Sequence, residues 1–170
     1  LQVMLKTSRG ARPARPDVAR LVAEHEIGRS ARHEAVVEHL ALEWQQQRPA
    51  LVLEDFGGRS LAEAPPWPMP LDDFFGLAVQ LTSGLGALHA QRVIHKDVNP
   101  ANIIYNPATG QAKLTDFSIA TVLDSEGVRG TPVERLEGTL PYISPEQTGR
   151  MNRSVDYRTD FYSLGVTLFQ

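Results

Sequence analysis

The stretch His95-Lys96-Asp97-Val98-Asn99-Pro100-Ala101-Asn102 decides how this chain is read. It follows a short apolar run, Val93-Ile94, and leads into a second, Ile103-Ile104-Tyr105. Asn106-Pro107-Ala108-Thr109-Gly110 then has the composition of a turn. The chain returns through Ala112-Lys113-Leu114 to Asp116-Phe117-Ser118. Two short apolar runs around such a turn predict a hairpin. Two acids and an amide, Asp97, Asn102 and Asp116, therefore sit on loops at the ends of short strands. Singly, each reads as a turn residue capping a strand end. Their order and spacing as a set demand a further explanation.

Length and composition bound that explanation. The chain has 170 residues, 42% apolar and 22% charged, the balance of one ordinary domain with a real core. A net charge of −3 suggests neither a nucleic-acid nor an anionic-membrane partner. The absence of cysteine excludes a disulfide framework, a thiol nucleophile and cysteine metal sites, and suits a reducing, cytoplasmic setting. No apolar run approaches the ~20 residues of a membrane helix, and no signal peptide is visible. The chain opens at Leu1 in a strand-like pattern and closes at Phe169-Gln170 in a helical one, so a fragment of a larger domain is expected. Five histidines invite a metal-hydrolase reading. Their spacing denies it: His33-Glu34 needs a histidine at position 37, where Val37 stands. There is no P-loop, and Gly84-Leu85-Gly86 lacks the third glycine of a dinucleotide fingerprint.

Outward from the central stretch, periodicity predicts the elements. Gln2 to Lys6 alternates as a strand. Ser8 to Arg15 is a basic, solvated loop, after which Pro16-Asp17 opens a helix with Val18, Leu21, Val22 and Ile27 on a partly apolar face. Ala35 to Trp44 reads as a strand, Gln45 to Arg48 as a turn and Ala50 to Leu53 as the next strand. Glu54-Asp55-Phe56-Gly57-Gly58 then turns, and Pro65 to Pro70 is a proline-rich spacer. The strongest helix signal spans Leu71 to Ala90, with Leu71, Phe74, Phe75, Ala78, Leu81, Leu85 and Leu88 at helical spacing and Asp72-Asp73 in the first turn. A long polar segment, Ser118 to Glu146, precedes a second helical pattern within Asp156 to Gln170.

His-Lys-Asp-Val-Asn-Pro-Ala-Asn resembles the protein-kinase catalytic loop H-R-D-L-K-P-x-N, and Asp116-Phe117-Ser118 resembles D-F-G. Gly138-Thr139-Leu140-Pro141-Tyr142-Ile143-Ser144-Pro145-Glu146 resembles the G-T-x-x-Y-x-[AS]-P-E end of a serine/threonine-kinase activation segment. The resemblance implies an α+β, two-lobed kinase fold: a small antiparallel-sheet lobe over residues 1–58 and a mostly helical large lobe over 59–170. It covers only the middle of a kinase domain, with a Gly-rich loop expected before Leu1. A piece so cut is expected to be unstable alone. The implied activity is transfer of the ATP γ-phosphate, with Mg2+, to a serine or threonine of a protein. Such transfer needs positioning and charge neutralisation more than covalent help.

The family's roles fall on this sequence residue by residue. Asp97 would orient the attacking hydroxyl, and Thr139 would pack beside it and the acceptor. Asn102 and Asp116 would ligate magnesium, which favours hard oxygens. Lys6 would hold the α- and β-phosphates, paired with Glu24 at a spacing of 18 residues, with Glu26 the lesser alternative. Leu53 would be the gatekeeper, and the backbone at Glu54 and Phe56 would meet adenine. His95 and Phe117 would pack structurally, and Asp160 would tie down the catalytic loop. Glu146 would find its partner beyond Gln170. Ser125, Thr131 and Thr139 are possible phosphosites. The string Glu146 to Arg153 resembles kinase-like modules of large bacterial hybrids that also carry ATPase, GAF and histidine-kinase modules, so further modules in the full chain are implied.

Three departures leave a second reading open. Asn99 replaces the lysine that neutralises the moving phosphoryl group, which should slow transfer. Lys96 replaces an arginine, keeping charge but losing the bidentate fork. Ser118 replaces a glycine and should stiffen the segment. The alternative is therefore a pseudokinase: a nucleotide-binding regulatory module for attached domains.

Overall fold

The computed structural model describes residues 2–8, 14–46, 48–63, 68–123, 137–150 and 153–170. In chain order its elements are β1 (Val3–Thr7), α1 (Arg15–Ser30), β2 (His39–Gln45), β3 (Arg48–Glu54), β4 (Arg59–Ser60), α2 (Leu71–Ala90), β5 (Val93–Ile94), β6 (Ile103–Asn106), β7 (Gln111–Leu114), β8 (Thr121–Val122) and α3 (Arg158–Phe169).

β1, β3 and β2 form an antiparallel sheet in that spatial order, with Lys6 opposite Leu51. On the central strand β3, Pro49, Leu51 and Leu53 are buried while their neighbours are less so, the alternation of a half-buried strand. Leu51 and Leu53 pack with Leu21 of α1 and with Val37. α1 starts one residue earlier than Pro16, at Arg15, with Pro16 in the first turn where no amide is needed. Its buried face is narrower than Val18, Leu21, Val22 and Ile27 predict: only Leu21, Glu24 and Gly28 are buried. These recur at three and four residues, so they share one face.

The larger core gathers around α2. Leu77, Leu81, Leu85 and Leu88 are buried there and pack with Ile103, Leu114 and Phe117. Each such leucine contributes about 2 kcal/mol by leaving water. The apolar stripe begins later than the sequence suggests: Leu71 and Phe75 are 71% and 60% exposed. The first turn of α2 thus lies outside the packing that starts at Leu77. Gly84 permits the helix to approach the α1–β2 link, where an added Cβ would stand 3.0 Å from the Ala35 carbonyl.

The predicted hairpin is β6–β7, and β4 adds a third strand to it. β5 pairs with β8. The expected strand over Ala35–Trp44 is corrected: β2 begins only at His39. Ala35, Val36 and Val37 are all buried in succession, which an alternating strand cannot achieve. They form a link fastened to β7, with Leu114 N–H donating to Ala35 O at 2.8 Å and Val37 N–H to Leu114 O at 2.9 Å. Among the described residues no helix is long and apolar enough to cross a membrane.

Candidate active site

One buried acid shapes the central loop from beneath. Asp160, in the first turn of α3, accepts from the backbone N–H of His95 at 2.9 Å and of Lys96 at 2.7 Å. His89 Nε2 lies 2.8 Å from the same carboxylate. A fully buried carboxylate is costly without such partners, so acid and loop stabilise each other. The loop holds Lys96 at a φ of 67°, a left-handed conformation that non-glycine residues keep only when neighbours fix it. The Lys96 ammonium donates to Thr121 Oγ1. Burial lowers the Lys96 pKa, against the opposing pull of Glu137 and Asp160.

His95 is buried against Phe117, their ring centroids 5.2 Å apart. The Asp97 N–H donates to His95 Nδ1 at 3.3 Å, which assigns the ring proton to Nε2, 3.1 Å from the Thr115 carbonyl. The Asp97 carboxylate is then held from two sides. Thr139 N–H donates to Oδ1 at 2.9 Å, and Asn102 Nδ2 donates to Oδ2 at 2.8 Å. Asn102 Nδ2 also donates to the Asp97 carbonyl at 2.9 Å.

Asn99 is 1% exposed and its amide is fully engaged. Nδ2 donates to the Asp97 carbonyl at 3.0 Å and to Thr139 Oγ1 at 3.1 Å, while Oδ1 accepts from Ala101 N–H at 2.9 Å. It therefore braces the loop, and places no cation beside Asp97.

The second cluster spans the two cores. Lys6 Nζ donates to both oxygens of Glu24, at 2.7 and 2.9 Å, and lies 2.9 Å from Asp116 Oδ1. Glu24 is buried, whereas Glu26 is exposed, so the spacing of 18 residues selects Glu24. Burial raises the Glu24 pKa, and the Lys6 ammonium only partly offsets this. Burial also pushes Asp116 upward, but Lys6 and hydrogen bonds from Ser118 outweigh it, leaving Asp116 below the usual carboxylate range. The two acids share one lysine and shift oppositely because Glu24 is the more deeply enclosed. Asp116 takes a φ of 68°, and its Oδ1 accepts from Ser118 N–H at 3.1 Å.

A magnesium ion is the metal these residues fit. Asn102 spends Nδ2 on Asp97, which leaves its amide oxygen without a described partner. Asp116 engages Lys6 and the Ser118 N–H through Oδ1, and as a carboxylate it has a second acceptor oxygen to offer a cation. Thr115 N–H donates to Asn102 O at 3.0 Å and fastens the two segments together. Among the described residues no group of three or more His, Cys, Asp or Glu could cage a metal. Magnesium needs none when it is held by one or two protein oxygens together with substrate phosphates.

The other predicted residues fall around this centre. Leu53 is buried beside Val37 and Leu51. Glu54 N–H donates to Glu38 O at 3.0 Å, and Phe56 O accepts from Asn106 Nδ2 at 2.7 Å. Glu146 accepts from Thr159 Oγ1 at 2.8 Å. Ser125 and Thr131 lie outside the described residues. Sequence reasoning missed His39, whose ring extends the His95–Phe117 stack at 5.7 Å from Phe117. It lies directly over Gly28, where an added Cβ would stand 2.3 Å from the ring. No local pattern announces such a pair. A cavity of about 340 Å³ beside the α1–β2 link is lined in part by His39, Glu54 and Lys113, and includes none of Lys6, Asp97, Asn102 or Asp116.

The comparisons place the chain in a family: residues 2–170 match the protein kinase domain family, and the chain belongs to it. It is similar to the serine/threonine-protein kinase pkn2 of Myxococcus xanthus, 36% identical over 142 residues, covering 81% of this chain and 17% of that protein. It is also similar to the serine/threonine-protein kinase PknB of Mycobacterium leprae, 37% identical over 125 residues, 72% of this chain and 19% of that protein. Serine/threonine-protein kinase Pkn1 of Myxococcus xanthus matches at 32% over 141 residues, 81% of this chain and 20% of that protein. The chain thus spans about a fifth of the length of these relatives.

Proposed function

We propose that the protein is a serine/threonine kinase of bacterial signalling that transfers the γ-phosphate of Mg-ATP to a protein hydroxyl. The observation that carries this reading is Lys6 bridging Glu24 and Asp116 while Asp97 is held between Asn102 and Thr139. When bound, ATP and magnesium supply the phosphoryl group and the charge that neutralises it. Lys6 orients the phosphates, and Glu24 holds Lys6. Asn102 and Asp116 offer oxygens to the metal. Asp97 accepts the acceptor hydroxyl's proton, in a position fixed by Thr139 N–H. Leu53, with the hinge at Glu54 and Phe56, borders the adenine. His95, Phe117, Glu146 and Asp160 keep the two segments in register. In this reading residues 1–58 are the small lobe and 59–170 the large one, the protein works in the cytoplasm, and further modules share its full chain.

A second reading, a nucleotide-binding regulatory module, is favoured by one observation: the Asn99 amide is committed to the loop and supplies no positive charge. The experiment is to incubate the complete protein with labelled ATP, Mg2+ and a generic protein acceptor, then identify the modified residue. Phosphoserine or phosphothreonine supports the kinase. Nucleotide binding without transfer selects the regulatory module, and label on tyrosine alone refutes the serine/threonine assignment.

A further inference from the structure

The β6–β7 hairpin does more than carry Asn102 and Asp116 at its ends. It grips the turn after β3 from behind at two points. Asn106, the last residue of β6, donates through Nδ2 to the Phe56 carbonyl at 2.7 Å. Lys113, in β7, donates to Glu54 Oε1 at 2.6 Å, and its ammonium lies 5.0 Å from the Phe56 ring centroid. The Glu54 carboxylate in turn accepts from Glu38 N–H at 2.8 Å. Neither grip is a loose surface contact. Asn106 is 8% exposed, and its Oδ1 accepts from Ala108 N–H at 3.0 Å, so the amide orientation is fixed. The side chains of Lys113 and Glu54 are 11% and 22% exposed, which spares the pair most of the screening that weakens surface ion pairs. Between the two grips, Gly57 holds a φ of 76° and its N–H donates to Asp55 Oδ1 at 2.9 Å. An added Cβ on Gly57 would stand 3.3 Å from Asn106 Nδ2, so the turn is fitted to Asn106.

The consequence is chemical. The Phe56 carbonyl is already taken by Asn106, whereas the Phe56 N–H has no described partner. Of the two backbone groups of Phe56, the clasp commits one to the protein and leaves the donor.

We propose that Asn106 and Lys113 are positioning residues for the nucleotide: together they lock the turn between Glu54 and Phe56 so that Phe56 presents its N–H, and not its carbonyl, to the base. This rests on the ATP-binding reading above. Rigid pre-setting of a binding group raises affinity by removing the cost of ordering it on binding. The clasp therefore acts on nucleotide binding and leaves the transfer step, which belongs to Asp97 and Asp116, nearly untouched.

The test uses the complete protein with Lys113→Met, Lys113→Arg and Asn106→Asp. Asn106→Asp keeps the shape but replaces the donor with an acceptor facing the Phe56 carbonyl. KM for ATP and kcat are measured separately, beside ADP affinity by calorimetry. The expected result is a rise in KM and in the ADP Kd of about five- to tenfold for Lys113→Met and Asn106→Asp, with kcat within about twofold. Lys113→Arg, which keeps the charge, should recover most of the affinity. An unchanged KM with a changed kcat, up or down, would overturn the proposal, since the clasp would then govern lobe motion or catalysis instead. Should Asn106→Asp lose its fold, Lys113→Met and its arginine rescue decide alone. Failure of the underlying reading is visible separately, as a wild-type protein that binds neither ATP nor ADP.

Discussion

At Lys6 one ammonium serves two acids whose surroundings differ. Removing it strands the Glu24 carboxylate, which is 1% exposed, with no counter-charge. Lys6→Met should therefore abolish transfer and also destabilise the fold by about 1–3 kcal/mol, discounted because Lys6 itself is a third exposed. Adding Glu24→Gln to Lys6→Met should restore much of the melting temperature and none of the activity. If the double variant is no more stable than the single one, the buried charge is not the cause. Asn99→Lys brings a cation toward Asp97 but gives up the side-chain acceptor that Ala101 N–H uses. We expect kcat to rise about tenfold while stability falls by about 1 kcal/mol, read by steady-state kinetics and thermal melts of the same preparation.

Among the elements, the α1–β2 region carries the sharpest consequences. Gly28 of α1 and His39 of β2 interlock, and His39 joins the stack that reaches His95 through Phe117. Gly28→Ala should displace the ring and cost about 1–3 kcal/mol, measured by chemical denaturation. His39 is 4% exposed, and neither ring nitrogen has a partner. Burial, then the neighbouring His25 and Lys6, lower its pKa from 6.5 to about 4, against the opposing pull of Asp116. Because the folded value lies below the unfolded one, its stabilising contribution is complete above about pH 6.5. It is lost as pH falls from there toward 4, on the order of 3 kcal/mol in all. The thermal stability of the wild type should thus decline over this range more steeply than that of His39→Leu. Parallel pH profiles would contradict the assignment.

Across the whole molecule, legibility followed sequence distance. The stretch His95 to Asn102, Asp116-Phe117-Ser118 and the hairpin between them are local: turn chemistry made the hairpin readable, and resemblance to a family made the two motifs so. The Lys6–Glu24 pair, 18 residues apart, was readable only through resemblance to a family. β4, β5 and β8 are two residues long, too short for any periodicity to register, and only tertiary pairing makes them strands. Ala35 to Val37 misled because three successive buried residues look like a strand when only composition is weighed. The Asn106–Phe56 contact joins residues 50 positions apart, and no pattern in either segment announces it.

If Asp97, braced by Asn102 and Thr139, drives phosphoryl transfer from a nucleotide held by Lys6 and Asp116, then Asp97→Asn removes the base and leaves the nucleotide site intact. The decisive measurement is kcat for Mg-dependent transfer in the complete protein and in Asp97→Asn, at saturating ATP. A loss of about 10²–10⁴-fold is expected, with the ATP Kd essentially unchanged. Equal rates in the two proteins would overturn this role for Asp97.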